Sequence, residues 1–114
     1  MDITALAQLH GRWVGERSRV TAENIAHVDT PGFRRGEGPS FGAMLEETAR
    51  PFAMHATHPA HIAPAPAAPG FAVSREGAVN LQTEMVALAG ERRAHDLNVA
   101  ITAAFHRFHM QVAR

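Results

Sequence analysis

No proline occurs before position 31 or after position 69 of this 114-residue chain. Proline lacks a backbone donor and its ring collides with the preceding helical turn, so the middle of the chain is closed to long helices and both ends are open to them. Six of the seven prolines lie between 34 and 78, and Pro64-Ala65-Pro66-Ala67-Ala68-Pro69-Gly70 is a low-complexity run suited to polyproline II geometry. Within that middle, Phe41-Gly42-Ala43-Met44-Leu45-Glu46-Glu47 has the length of one or two helical turns, and Phe71-Ala72-Val73-Ser74 that of a short strand. The sequence thus divides into 1–33, an N-terminal helix and its closing turn; 34–78, a flexible connector outside the core; and 79–114, a C-terminal helix. The expected fold class is all-α, one discontinuous domain formed by 1–33 and 79–114 around a Pro/Gly-rich, largely irregular middle.

Over 3–28, Ile3, Leu6, Leu9, Trp13, Val20, Ile25 and Val28 fall mostly at three- and four-residue steps, the spacing of one helical face. Leu6, Trp13 and Val20 stand seven apart, and with Leu9 they are expected to pack on the C-terminal helix. Asp29-Thr30-Pro31-Gly32 then stops the helix, because Pro31 pushes Thr30 toward extended geometry and Pro-Gly favours a tight turn. Over 80–112 Asn80 is a candidate N-cap. Projection at ~100° per residue gives two apolar stripes there. Leu81, Met85, Leu88 and Val99 share one face; Val86, Ala94, Leu97, Ile101, Phe105, Phe108 and Val112 share roughly the opposite one. A helix apolar on two sides sits inside a bundle or between subunits. One stripe is expected to hold the N-terminal helix, and Leu97, Ile101, Phe105 and Phe108 to supply a second contact face for a neighbour.

Composition narrows the function. Large core formers are few, with six Phe, one Trp and no Tyr, so a self-sufficient globule is harder to build than an assembly. Such a chain is expected to fold fully only on assembly. Eleven basic residues, all Arg, balance eleven acidic ones, which leaves no cationic excess to drive nucleic-acid binding. Eight histidines make that neutrality sensitive to acidification. With no cysteine, disulfide and thiolate chemistry are excluded. The first twenty residues carry Asp2, Arg12, Glu16, Arg17 and Arg19 and lack the apolar run of a cleaved secretory signal. Nothing approaches the ~20 apolar residues of a membrane span.

Candidate chemistry is sparse. His55, His58 and His61 form a three-residue-spaced cluster whose imidazoles could bind zinc, nickel or copper. Pro59 opposes a continuous helix there, and no Cys or nearby carboxylate completes a ligand set. His95, His106 and His109 read as interface or surface residues, with a pH-sensitive interface as the functional alternative. Glu91-Arg92-Arg93 reads as a solvated face or an intersubunit salt-bridge group. Ser18, Ser40 and Ser74 have no nucleophile context, and no phosphate-binding loop or catalytic carboxylate pair is present. The expectation is a protein with no catalytic, cofactor-binding or metal site and no small-molecule substrate. A His-rich metal-binding helical protein and a helical adaptor or export chaperone stand as alternatives.

The segment Asn24-Ile25-Ala26-His27-Val28-Asp29-Thr30-Pro31-Gly32-Phe33 is a helix end, a turn and an aromatic anchor. Asn24 is placed to bond backbone where the helix ends or meets its partner, Asp29 and Thr30 to close a local turn, and Phe33 to fold back onto the helices. As a string it resembles the A-N-I-A-N-x-x-T-P-G-[FY] signature of flagellar rod, hook and hook-associated proteins. Asn24, Ile25, Ala26, Thr30, Pro31, Gly32 and Phe33 match; His27 stands where the family has a second Asn. Thr57-His58-Pro59-Ala60-His61-Ile62 resembles the T-H-P-x-H-[LI] segment of the proximal-rod members, and Val79-Asn80-Leu81-Gln82-Thr83-Glu84-Met85 their V-D-L-E-x-E-M helix start, with Asn80 and Gln82 in place of acidic residues. The resemblance implies terminal helices paired in a coiled-coil-like bundle and stacked helically into a hollow rod. It also implies passage through the flagellar type III export gate without signal cleavage, a place at the base of the periplasmic rod, and contacts with the MS ring, the export gate and other rod proteins.

Overall fold

A computed structural model describes residues 2–49, 58–60 and 70–113. Helix α1 spans Ile3–Ala26 and α3 spans Leu81–Val112, with a shorter α2, Phe41–Ala49, between them. Each long helix opens on a side-chain cap. Asp2 Oδ1 accepts from the Ala5 amide at 2.7 Å, and Asn80 Oδ1 accepts from the Thr83 amide at 3.1 Å, each satisfying a donor that the first turn leaves open. Ser40 does the same for α2, accepting from the Ala43 amide at 3.1 Å.

The end of α1 is chemical. The Phe33 amide donates to Thr30 O at 3.2 Å across Pro31-Gly32, and Gly32 has φ +77°. That is a turn with proline pre-set at its second position and glycine in the left-handed region at its third. The chain then enters β1, Gly36–Glu37, which pairs antiparallel with β2, Ser74–Arg75, in the register Gly36 with Arg75 and Glu37 with Ser74. The Arg35 and Glu76 amides extend this ribbon by donating to Gly77 O and Arg35 O at 2.9 and 3.0 Å. It returns the chain to the start of α3.

The long helices pack antiparallel: Asn24 meets Glu84, Thr21 meets Glu91, and Ala7 meets Asn98. At ~1.5 Å per residue α3 is about 48 Å long and α1 about 36 Å, so the C-terminal end of α3 runs past the start of α1.

The apolar core lies beside this contact and shares Val14 and Ala94 with it. Leu9, Trp13, Val14 and Met44 are buried together, with Phe41, Leu45, Phe71 and Ala94 packed around them. The Trp13 indole N–H donates to Pro39 O at 2.8 Å, and its ring lies 5.6 Å from that of Phe41. The middle of the chain is therefore not outside the core. Met44 is 4% exposed, and α2 with Phe71 covers Trp13. A proline-rich segment can cover a core in pieces: a nine-residue helix fits between Pro39 and Pro51, and Phe71 follows the last proline.

Candidate assembly interface

What joins α1 to α3 is a polar seam. Glu84 is fully buried, Glu91 is 4% exposed, and they meet Asn24 at 1% and Thr21 at 5%. Asn24 uses its whole amide. Its Oδ1 accepts from the Gly36 amide at 2.8 Å, and its Nδ2 donates to Gly36 O at 2.8 Å and to Glu84 Oε2 at 3.3 Å. One side chain thus ties together α1, β1 and α3. Arg35 Nε donates to Glu84 Oε1, and Arg35 also reaches Glu37 at 3.1 Å. The hydrogen bond to the Glu84 carboxylate holds the Arg35 guanidinium above its usual value. One turn pair further along, Thr21 Oγ1 donates to Glu91 Oε1 at 2.7 Å and Arg17 lies 3.4 Å from the same oxygen. At the third step Asn98 Nδ2 donates to Ala7 O at 2.9 Å, with His10 Nδ1 at 3.0 Å.

The signature turn sits at one end of this seam. His27 stacks on Phe33 with ring centroids 4.5 Å apart, and its Nδ1 lies 3.2 Å from Thr30 Oγ1. The Arg75 guanidinium covers Phe33 at 5.3 Å and bonds Glu23 at 2.6 Å, which clamps β2 to α1. That Arg75 hydrogen bond, with the nearby charges of Arg75 and Arg19, lowers the Glu23 carboxyl below its ordinary 4.5. Asn24 is buried, Ile25 is half-buried, and Ala26, Thr30, Pro31 and Gly32 are exposed around the turn.

The hydrophobic positions singled out from the sequence distribute differently. Trp13 faces Pro39 and Phe41, and Leu9 joins the same cluster. Val20 packs beside Gly36, where a β-carbon would lie 3.2 Å from its methyl. These three therefore pack chiefly against the connector, where the seven-residue spacing had pointed them at the C-terminal helix. The physical reason is one residue of phase: Ala7, Val14 and Thr21 stand one place beyond Leu6, Trp13 and Val20, about 100° round the helix. Leu6 borders α3 from the side, in an apolar groove of about 250 Å³ with Ile3, Phe41, Leu97 and Ile101. A second groove on the other flank of the seam holds Val14, Ser18, Met85, Leu88 and His95.

Leu88 is half-buried, whereas Leu81, Met85, Leu97, Ile101, Phe105 and Phe108 are exposed. Neither apolar stripe of α3 is centred on α1; the seam runs between them, with Leu88 and Ala94 at its edges. Glu91, read from the sequence as solvated or intersubunit, is buried within the chain, because Thr21 and Arg17 supply it with donors. The signal for the seam was present: Glu84, Glu91 and Asn98 are seven apart. Thr21, Arg35 and Asn98 carried no motif and were not singled out. His58 and Pro59 lie in a described turn, while Thr57, His61 and His55 lie outside the described residues.

The arrangement defines a class, a helical-hairpin subunit whose working parts are packing surfaces. No protein-family model matches the chain. The flagellar basal body rod protein FlgB of Agrobacterium fabrum is 30% identical to it over 127 residues, covering 100% of this chain and 94% of that protein. The chain belongs to the FlgB family of flagellar basal body rod proteins, a family of structural components of the bacterial flagellum.

Proposed function

We propose that the chain is a subunit of the proximal rod that polymerises through its terminal helices and joins the rod to the MS ring and export gate, and that motility depends on it. The observation that carries this reading is the distribution of exposed hydrophobics. Among the described residues, ten of the eleven exposed large apolar side chains lie on α3, from Leu81 to Val112. Exposed apolar surface on this scale marks an interaction site. At about 1.5–3 kcal/mol for each large apolar side chain buried, a few such contacts repeated along a polymer stabilise what one copy does not. Leu97, Ile101, Phe105 and Phe108 supply the outward contact, and the turn from Asn24 to Phe33 meets the next subunit. The chain reaches the periplasmic rod through the flagellar export gate without signal cleavage.

The test is deletion of the gene in its native bacterium, with envelope imaging and a swimming assay. Loss of swimming with an MS ring present but no rod or hook is the expected result. Normal flagella in the absence of any second copy of the gene would overturn the reading.

A further inference from the structure

We propose that Glu84 and Glu91 sort the faces of α3: their carboxylates reserve the seam for α1 of the same chain and leave the apolar stripes for other chains. On α3 the buried side chains are carboxylates, while ten large apolar ones face out. Hydrophobicity alone would turn one of the flanking apolar stripes toward α1. The same chain prevents this by presenting donors along the strip, with Asn24 and Arg35 at Glu84, and Thr21 and Arg17 at Glu91. The carboxylates of α1 itself, Glu16 and Glu23, are engaged by Arg19 and Arg75 instead.

A second α3 lacks the guanidinium donors of Arg17 and Arg35 that face this strip. In a parallel pairing Glu84 would meet Glu84, and Glu91 would meet Glu91; in an antiparallel pairing centred between them, each would meet the other. Either way unpaired carboxylates would be buried against each other, which is strongly unfavourable. The apolar stripes carry no such restriction. Glu91 Oε2 is buried without a partner, so this rung is not built for maximal stability. A polar group kept in a helix seam at a cost in stability is best attested as a device for choosing partner and register.

Cysteine crosslinking of the full chain tests the idea. The chain has no native cysteine, and a β-carbon at Gly11 would lie 3.7 Å from Asn98 Oδ1. Gly11→Cys with Asn98→Cys gives up the third rung, keeps both carboxylates, and reports whether α1 and α3 pair within one chain. In this parent the oxidised product is expected to be an intrachain-linked monomer on a non-reducing gel. Adding Glu84→Leu and Glu91→Leu removes the penalty of burying carboxylates against each other between copies and is expected to raise the interchain-linked fraction about tenfold. Circular dichroism on the same samples checks that helix content is retained. Glu91→Leu alone leaves Arg35 its carboxylate and serves if the double variant does not fold. It is expected to melt no lower than the parent and to give an intermediate interchain fraction. An unchanged interchain fraction in the folded variants, or a lowered melting midpoint for Glu91→Leu, would overturn the proposal.

Discussion

At the scale of single residues, the side chain with most depending on it is Asn24. It is 1% exposed, and its three hydrogen bonds satisfy both backbone groups of Gly36 and one oxygen of Glu84. Asn24→Ala would remove the partner of all three buried groups, and an unsatisfied buried group costs roughly 1–3 kcal/mol. We expect a loss of about 2–4 kcal/mol in total, read as a lower denaturation midpoint at fixed protein concentration. A loss below about 0.5 kcal/mol, the range of ordinary surface substitutions, would mean that water or a neighbour replaces the amide. Glu23 gives a pH dependence whose sign follows from its depressed carboxyl. Stability from such a group is full above its unfolded value near 4.5 and is lost as pH falls through the lower folded value. Arg75→Leu removes the main cause of the shift. In a carboxyl titration followed by NMR, Glu23 should titrate below 4.5 in the parent chain and move back toward that value in the variant. Equal midpoints in the two chains would show that the Arg75 bond does not hold in solution.

At the scale of elements, the ends of the helices were legible and their faces were not. Asn80, Pro31 and Gly32 act through local backbone chemistry, which spacing and residue type reveal; the α1 expected over 3–28 runs over Ile3–Ala26, and the α3 expected over 80–112 over Leu81–Val112. Which face of α3 meets α1 was hidden, because the strongest periodic signal belongs to the stripes left exposed, and the contact face is written in Glu84, Glu91 and Asn98. The connector was hidden for a related reason. Its contribution comes through Phe41, Met44 and Leu45, which share a helical face for barely two turns, and through Phe71, which stands alone; neither signal is long enough to show that the segment reaches the core. Gly38 and Gly42 separate packing from composition in this region. A β-carbon at Gly38 would lie 2.0 Å from the Phe71 ring, which is itself packed against the core cluster, whereas at Gly42 nothing lies within 4 Å. Gly38→Ala should cost about 1–3 kcal/mol through overpacking, while Gly42→Ala should gain roughly 0.5–1 kcal/mol by favouring helix. Thermal melts of the two variants check this, and a neutral Gly38→Ala would mean that Phe71 moves aside freely.

At the scale of the whole molecule, the chain keeps its largest apolar resource on the outside. Among the described residues its core rests on Leu9, Trp13, Val14, Val20 and Met44, and one helix exposes twice that number of large apolar side chains. A protein arranged in this way should gain stability from association, because anything that binds the folded form alone stabilises it by mass action. The melting midpoint of the parent chain should therefore rise with protein concentration. Leu97 and Phe108 are each 61% exposed, so arginine in their place should leave the isolated fold intact. Arginine is also a good helix former, and a cation at 108 lies near the C-terminus of α3, where the helix dipole favours positive charge. Any loss then belongs to association. The pair Leu97→Arg and Phe108→Arg should keep the midpoint measured at high dilution within about 0.5 kcal/mol of the parent and abolish its rise with concentration. The same pair should fail to restore swimming to the deletion strain. A variant that still melts in a concentration-dependent way would place the association surface elsewhere, on the groove beside Met85 and Leu88. A variant that melts lower even when dilute would show that these side chains stabilise the single chain after all.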